Sequence, residues 1–170
     1  NQEIKSPSAA LVKAALINGS VELPGQYVPS EAGPIPNFNE GFGRVDLLRS
    51  TTVETGGSLD FFDEAKPLQT GGEFQSKVRV PNGGDTLKVT LVWTDPPGAS
   101  LQNDLDLIVV AGNGDERHGN MPALSTGFDR RNNVEQILWQ NCPLGLASIT
   151  VRAYDVPLHP QSFALVVRVG

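Results

Sequence analysis

Hydrophobic and polar residues alternate along most of the chain, and the period is two. Leu87, Val89, Leu91 and Trp93 fall on one face of a stretch whose other face carries Thr86, Lys88, Thr90 and Val92, the signature of a half-buried strand. Phe74, Ser76, Val78 and Val80 alternate in the same way with Glu73, Gln75, Lys77 and Arg79. Leu105, Leu107 and Val109 share a face opposite Asp104 and Asp106. Further strands are predicted at 58–62, 134–139, 148–154 and 162–169. Turn signals separate them: Thr70-Gly71-Gly72, Asn82-Gly83-Gly84-Asp85, Asp95-Pro96-Pro97-Gly98 and Gly112-Asn113-Gly114-Asp115. Residues 116–132 read as irregular and polar. Seven or eight short strands spaced by such turns predict a mainly β fold, an antiparallel β-sandwich or jelly roll.

The first fifty residues follow another pattern. Ser6 as N-cap, Pro7 at the first helical position and Asn18-Gly19 as a stop predict a helix over 6–19. Leu11, Val12, Ala15 and Leu16 form its apolar stripe. The stripe is rich in alanine and has no obvious partner in the neighbouring sequence. Residues 20–43 read as a long Pro/Gly/Asn loop, followed by Gly41-Phe42-Gly43-Arg44-Val45-Asp46 and a short helix from Val45 to about Ser50. The chain divides accordingly into 1–52, helices lacking their own core, and 53–170, a β-domain.

Composition narrows the function. The 170 residues carry a net charge of −6, which argues against a nucleic-acid partner. No apolar run is long enough to span a bilayer, and no signal peptide opens the chain. Cys142 is the single cysteine, so no intrachain disulfide forms.

Oxygen ligands cluster in two stretches: Asp95, Asn103, Asp104 and Asp106 around the central turn, and Asp129, Asn132, Asn133 and Glu135 in FDRRNNVEQI. Hard oxygens in number are what Ca²⁺ takes. The same residues also serve as turn caps and solvated edges, and their spacing is not that of an EF-hand. Catalysis is poorly served. His118 lies in the polar loop and His159 between prolines, and no serine stands in a G-x-S-x-G elbow. Cys142 reads as a structural thiol, and two histidines without a cluster fall short of zinc. Trp93 and Trp139 sit in strand patterns, as core residues rather than a sugar platform beside paired carboxylates. The Gly-Gly turns lack the lysine and helix of a phosphate loop.

SPSAALVKAALINGS followed by GFGRVDLLRS resembles the end of the catalytic domain of subtilisin-like serine proteases. LVWTDPPGA, the NDLDL run at 103–107, the DRRNNVE run at 129–135 and AYDVPLHPQSFALVV at 153–167 resemble the C-terminal jelly-roll domain of their oxidatively stable alkaline branch. The resemblance covers nearly the whole chain. It implies a fragment without catalytic residues, because the family's Asp, His and Ser fall outside it. It also implies that 1–52 is the tail of a catalytic domain, with that domain as partner, protein substrates met through the parent enzyme, and a secreted setting. Calcium is implied as a structural cofactor, with Asp104 and Asp106 first, then Asp95, Asp129 and Glu135, then Asn103 and Asn133. A free-standing carbohydrate- or surface-binding jelly roll is the competing expectation.

Overall fold

The structure is a computed structural model that describes residues 4–23 and 35–170. Much of the loop predicted over 20–43 therefore lies outside the described residues. Helix α1 spans Ala9–Gly19 and α2 spans Leu47–Thr51. The strands are β1 (Ser58–Leu68), β2 (Glu73–Val80), β3 (Leu87–Trp93), β4 (Asp104–Val110), β5 (Glu116–His118), β6 (Val134–Trp139), β7 (Gly145–Asp155) and β8 (Gln161–Val169).

The strands form two four-stranded antiparallel sheets, ordered β1-β8-β3-β6 and β2-β7-β4-β5. The chain crosses between the sheets at nearly every connection, the jelly-roll topology. The alternation makes the core. Leu87, Val89, Leu91 and Trp93 from one sheet meet Leu105, Leu107, Val109, Ile149 and Val151 from the other, all essentially inaccessible. Phe74 bridges Phe62 and Phe163 edge to face, with ring centroids 5.6 and 5.5 Å apart. Both tryptophans are buried, as their strand positions predict. Cys142 is also fully buried, and that burial raises its thiol pKa.

The structure corrects two expectations. First, β3 is buried on both faces, not one. Ala10, Leu11 and Ala14 of α1 pack on Val92, Val134, Ala164 and Val166, the outer face of the β1-β8-β3-β6 sheet. The alanine face thus has its partner within this chain, about eighty residues downstream in β3 and farther still in β8. Small side chains let the helix lie close to the sheet.

Second, α1 begins at Ala9. Ser8 is the N-cap, its Oγ accepting from Leu11 N at 3.0 Å. Asp63 of β1 holds Ser8 by accepting from its N and Oγ at 2.7 and 2.6 Å. That long-range clamp, invisible in local sequence, places the cap two residues later than Ser6. Gly19 does not end the helix through a left-handed turn. A Cβ there would stand 2.4 Å from Ser50 N, so the glycine lets α1 and α2 touch.

Candidate functional site

The acidic residues of β4 sit on the outer face of the β2-β7-β4-β5 sheet. Since Leu105, Leu107 and Val109 point inward, Asp104 and Asp106 must point outward. The register sets Asp106 opposite Arg152 of β7. Arg152 donates to Asp106 Oδ2 from Nε at 3.0 Å and from Nη2 at 2.7 Å.

The segment between β5 and β6 folds over this face and brings a second guanidinium. Arg130 Nη1 donates to Asp106 Oδ1 and lies 3.3 Å from Asp104. Its guanidinium rests on the Tyr154 ring, 3.7 Å from the centroid, and Phe128 lies within 5.1 Å of it and 4.7 Å of Arg152. His118 stacks on the other aromatic of this pile, Phe128, at 4.0 Å. It is a buried residue at the end of β5 rather than part of a polar loop, and both ring nitrogens are engaged, at 2.7 Å from Gly127 O and Glu116 Oε1.

Glu135 approaches the same place from the other sheet. β5 ends at His118, and Gly119 beyond it donates its N–H to Leu107 O at 2.9 Å, while the Leu107 N–H goes to Glu135 Oε2 at 2.6 Å. Glu135 is 1% exposed, and its Oε1 has no hydrogen-bond partner among the described residues. Burial raises its carboxyl pKa well above the usual range, and the charges of Asp106, Asp129 and Asp104 add to the rise. Asp104 is likewise raised, to about 6, by burial and by Asp106 and Asp129, against the pull of Arg130. Asp129 goes the other way. Burial raises it, but hydrogen bonds from Asn132 and Asn120 side chains and from the Arg131 and Asn132 N–H groups outweigh that and leave it lowered.

The remaining candidate ligands tie loops together. Asp95 accepts from Gln102 N and Asn103 N at 2.9 and 2.8 Å, closing the turn after β3. Asn103 Nδ2 donates to Leu158 O and Gln161 Oε1 at 2.7 and 2.8 Å. Asn133 Nδ2 donates to Trp93 O at 2.9 Å. Asp104, Asp106, Asp129 and Glu135 therefore form one electrostatic cluster, and Asp95, Asn103 and Asn133 are loop fasteners beside it.

Among the described residues, no three or more His, Cys, Asp or Glu side chains converge as a metal-ligand set. The donor chemistry suits calcium, and in this structure Arg130 occupies the space between Asp104 and Asp106. The arginines Arg130 and Arg152 are the functional partners that sequence reading missed. Their signal, a cross-strand register and a fold-over segment, exists only once the sheet is assembled.

No protein-family profile matches the chain. It is 31% identical over 183 residues to the serine protease/ABC transporter B family protein tagA of Dictyostelium discoideum, an alignment covering 95% of this chain. The chain spans about a tenth of that relative's length, 10%. Fold and site together define a jelly-roll β-domain with a helical segment packed on one sheet and an arginine-clasped acidic cluster on the other.

Proposed function

We propose that this chain is a non-catalytic accessory domain of a subtilisin-like serine protease, packing beside the protease domain of the same polypeptide and raising its stability. The observation that carries this is the similarity of nearly the whole chain to a stretch of a protein named a serine protease. The exposed apolar residues add support. Val45, Leu47 and Leu48 are 54, 70 and 71% exposed, and Phe38 is fully exposed nearby in sequence. Exposed apolar side chains of that kind suit a protein partner. All four lie between positions 38 and 48, within the part that resembles the tail of a catalytic domain.

No catalysis is assigned to the chain itself. His118 has both nitrogens occupied and none left to activate a hydroxyl. The competing reading, a carbohydrate-binding module, loses its stacking platform, since Trp93 and Trp139 are 1 and 4% exposed. The parent's substrates and its secretion belong to the same proposal.

Calcium enters as a competitor for a charge deficit. Four carboxylates (Asp104, Asp106, Asp129 and Glu135) face two guanidinium groups, and protons on Asp104 and Glu135 offset part of the difference. A divalent cation would compete with those protons, and Arg130 would have to swing off Asp104 to admit it. The residues that would hold it are Asp104, Asp106 and Glu135, with Asp129 adjoining. Its chemistry there is structural charge neutralisation.

The purified chain is expected to show no casein hydrolysis and no labelling by a fluorophosphonate serine-hydrolase probe. Hydrolysis that a serine-protease inhibitor abolishes would overturn the reading.

A further inference from the structure

Beneath the C-terminal half of α1 the outer sheet face is polar, and two cations are buried there. Lys88 of β3 is 6% exposed and Arg168 of β8 is 9% exposed, and the two are paired in register. Lys88 Nζ donates to Ile17 O and Ser20 O, each at 3.3 Å, at the carbonyl end of α1, where Ile17 O also accepts from Ser20 N and Oγ. Arg168 donates from Nε to Asn18 Oδ1 at 3.1 Å, from Nη1 to Thr52 O at 3.0 Å, and to Arg49 O. Asn18 Nδ2 in turn donates to Lys88 O and Thr90 Oγ1, each at 3.1 Å. The cluster is thus the seam between the α1–α2 segment and the sandwich.

Its charges do not balance. Among the described residues Lys88 has no carboxylate within ion-pair distance. It is faced by Arg168 from β8 and Arg49 from α2; Asp46, at the start of α2, acts on Arg168. The β6 residue opposite Lys88 is the neutral Leu138, and α1 contributes the neutral Asn18. Two acceptors meet Nζ, and a neutral amine has two N–H groups to satisfy them. An ammonium has a third N–H and a charge that must be desolvated next to two guanidinium groups.

We propose that Lys88 is a proton-operated fastener at this seam: losing its proton tightens the α1–α2 segment onto the sheet, and gaining it loosens the segment. Burial first, then Arg168 and Arg49, lower its amine from 10.5 to about 8. The folded pKa lies below the unfolded one, so the unfolded state binds more protons between about pH 8 and 10.5. Docking therefore strengthens as pH rises through that window, and below pH 8 the cost of the charge is paid in full.

The test is urea unfolding of the chain and of Lys88→Met at pH 7 and pH 10. The ratio of the wild-type folding constant to the variant's is expected to rise on the order of fiftyfold between the two pH values. A ratio unchanged across the window overturns the proposal. If the variant does not fold, carbon NMR of ¹³C-lysine-labelled wild type decides. A Lys88 titration midpoint near 8, followed by the Ile17 and Ser20 carbonyl carbons, supports the fastener. A midpoint near 10.5, or carbonyls that do not follow, overturns it.

Discussion

Arg152→Ala is expected to lower the unfolding free energy by about 3 kcal/mol, within the range found when one partner of a buried ion pair is removed. Asp106 is completely buried, and Arg152 supplies both hydrogen bonds to its Oδ2. Without Arg152 that oxygen keeps its desolvation cost and loses its compensation, while Arg130 still serves Oδ1. Phe128 also loses one of the two guanidinium groups packed against it. The check is urea unfolding of Arg152→Ala, of Asp106→Asn, and of the double variant. Because the two side chains act as a unit, the double variant should be destabilised by clearly less than the sum of the singles. Simple additivity would mean that the clasp stores little energy.

Glu135→Gln is expected to act in the opposite direction and to depend on pH. The Glu135 carboxyl is raised well above its ordinary value by burial. A carboxyl whose folded pKa is raised contributes stability that is full below its unfolded pKa and is lost as pH rises through the folded one. This carboxyl's share of the stability is therefore lost as pH rises from acidic values, and Asp104, raised from 3.8 to about 6, adds to the loss in that lower window. The glutamine variant is neutral throughout and keeps an oxygen to accept from Leu107 N. It should match the wild type near pH 4 and exceed it at pH 8 by on the order of 1–3 kcal/mol. Chemical unfolding at the two pH values measures this, and a variant less stable than wild type at pH 8 would contradict the assignment. Calcium extends the experiment. A cation that competes for the same deficit stabilises only the folded state, by about 2.7 kcal/mol at a concentration a hundredfold above Kd. Wild-type Tm should then rise with calcium, and the variant's should not. An equal response in both removes Glu135 from the calcium site, and no response in wild type removes calcium.

The sandwich was legible because alternation is local. Leu87 to Trp93, Phe74 to Val80 and Leu105 to Val109 each announce their inward face within seven residues. What covers the outward face is not local. Lys88, Thr90 and Val92 look solvated in sequence and are buried by α1, whose alanines precede them by more than seventy positions. The site was half legible for the same reason. Two carboxylates side by side on one strand face imply either a solvated face or a nearby cation, and Asp104 and Asp106 carry that signal in the sequence. The cations found there are guanidinium groups, delivered by the register of Asp106 with Arg152 and by the folding over of the segment that carries Arg130. In the sequence Glu135 reads as an oxygen donor. Its role as acceptor for the Leu107 N–H follows from where β5 ends, which the sequence shows only as an irregular stretch from 116 to 132.

Heat inactivation of the full-length polypeptide, with and without residues 58–170, tests the accessory role most directly. Peptidase turnover at low temperature should be the same in both forms. The half-life at elevated temperature should shorten roughly tenfold or more when the domain is removed, because inactivation follows the unfolding rate of the part it braces. Equal half-lives would contradict the role proposed for this domain.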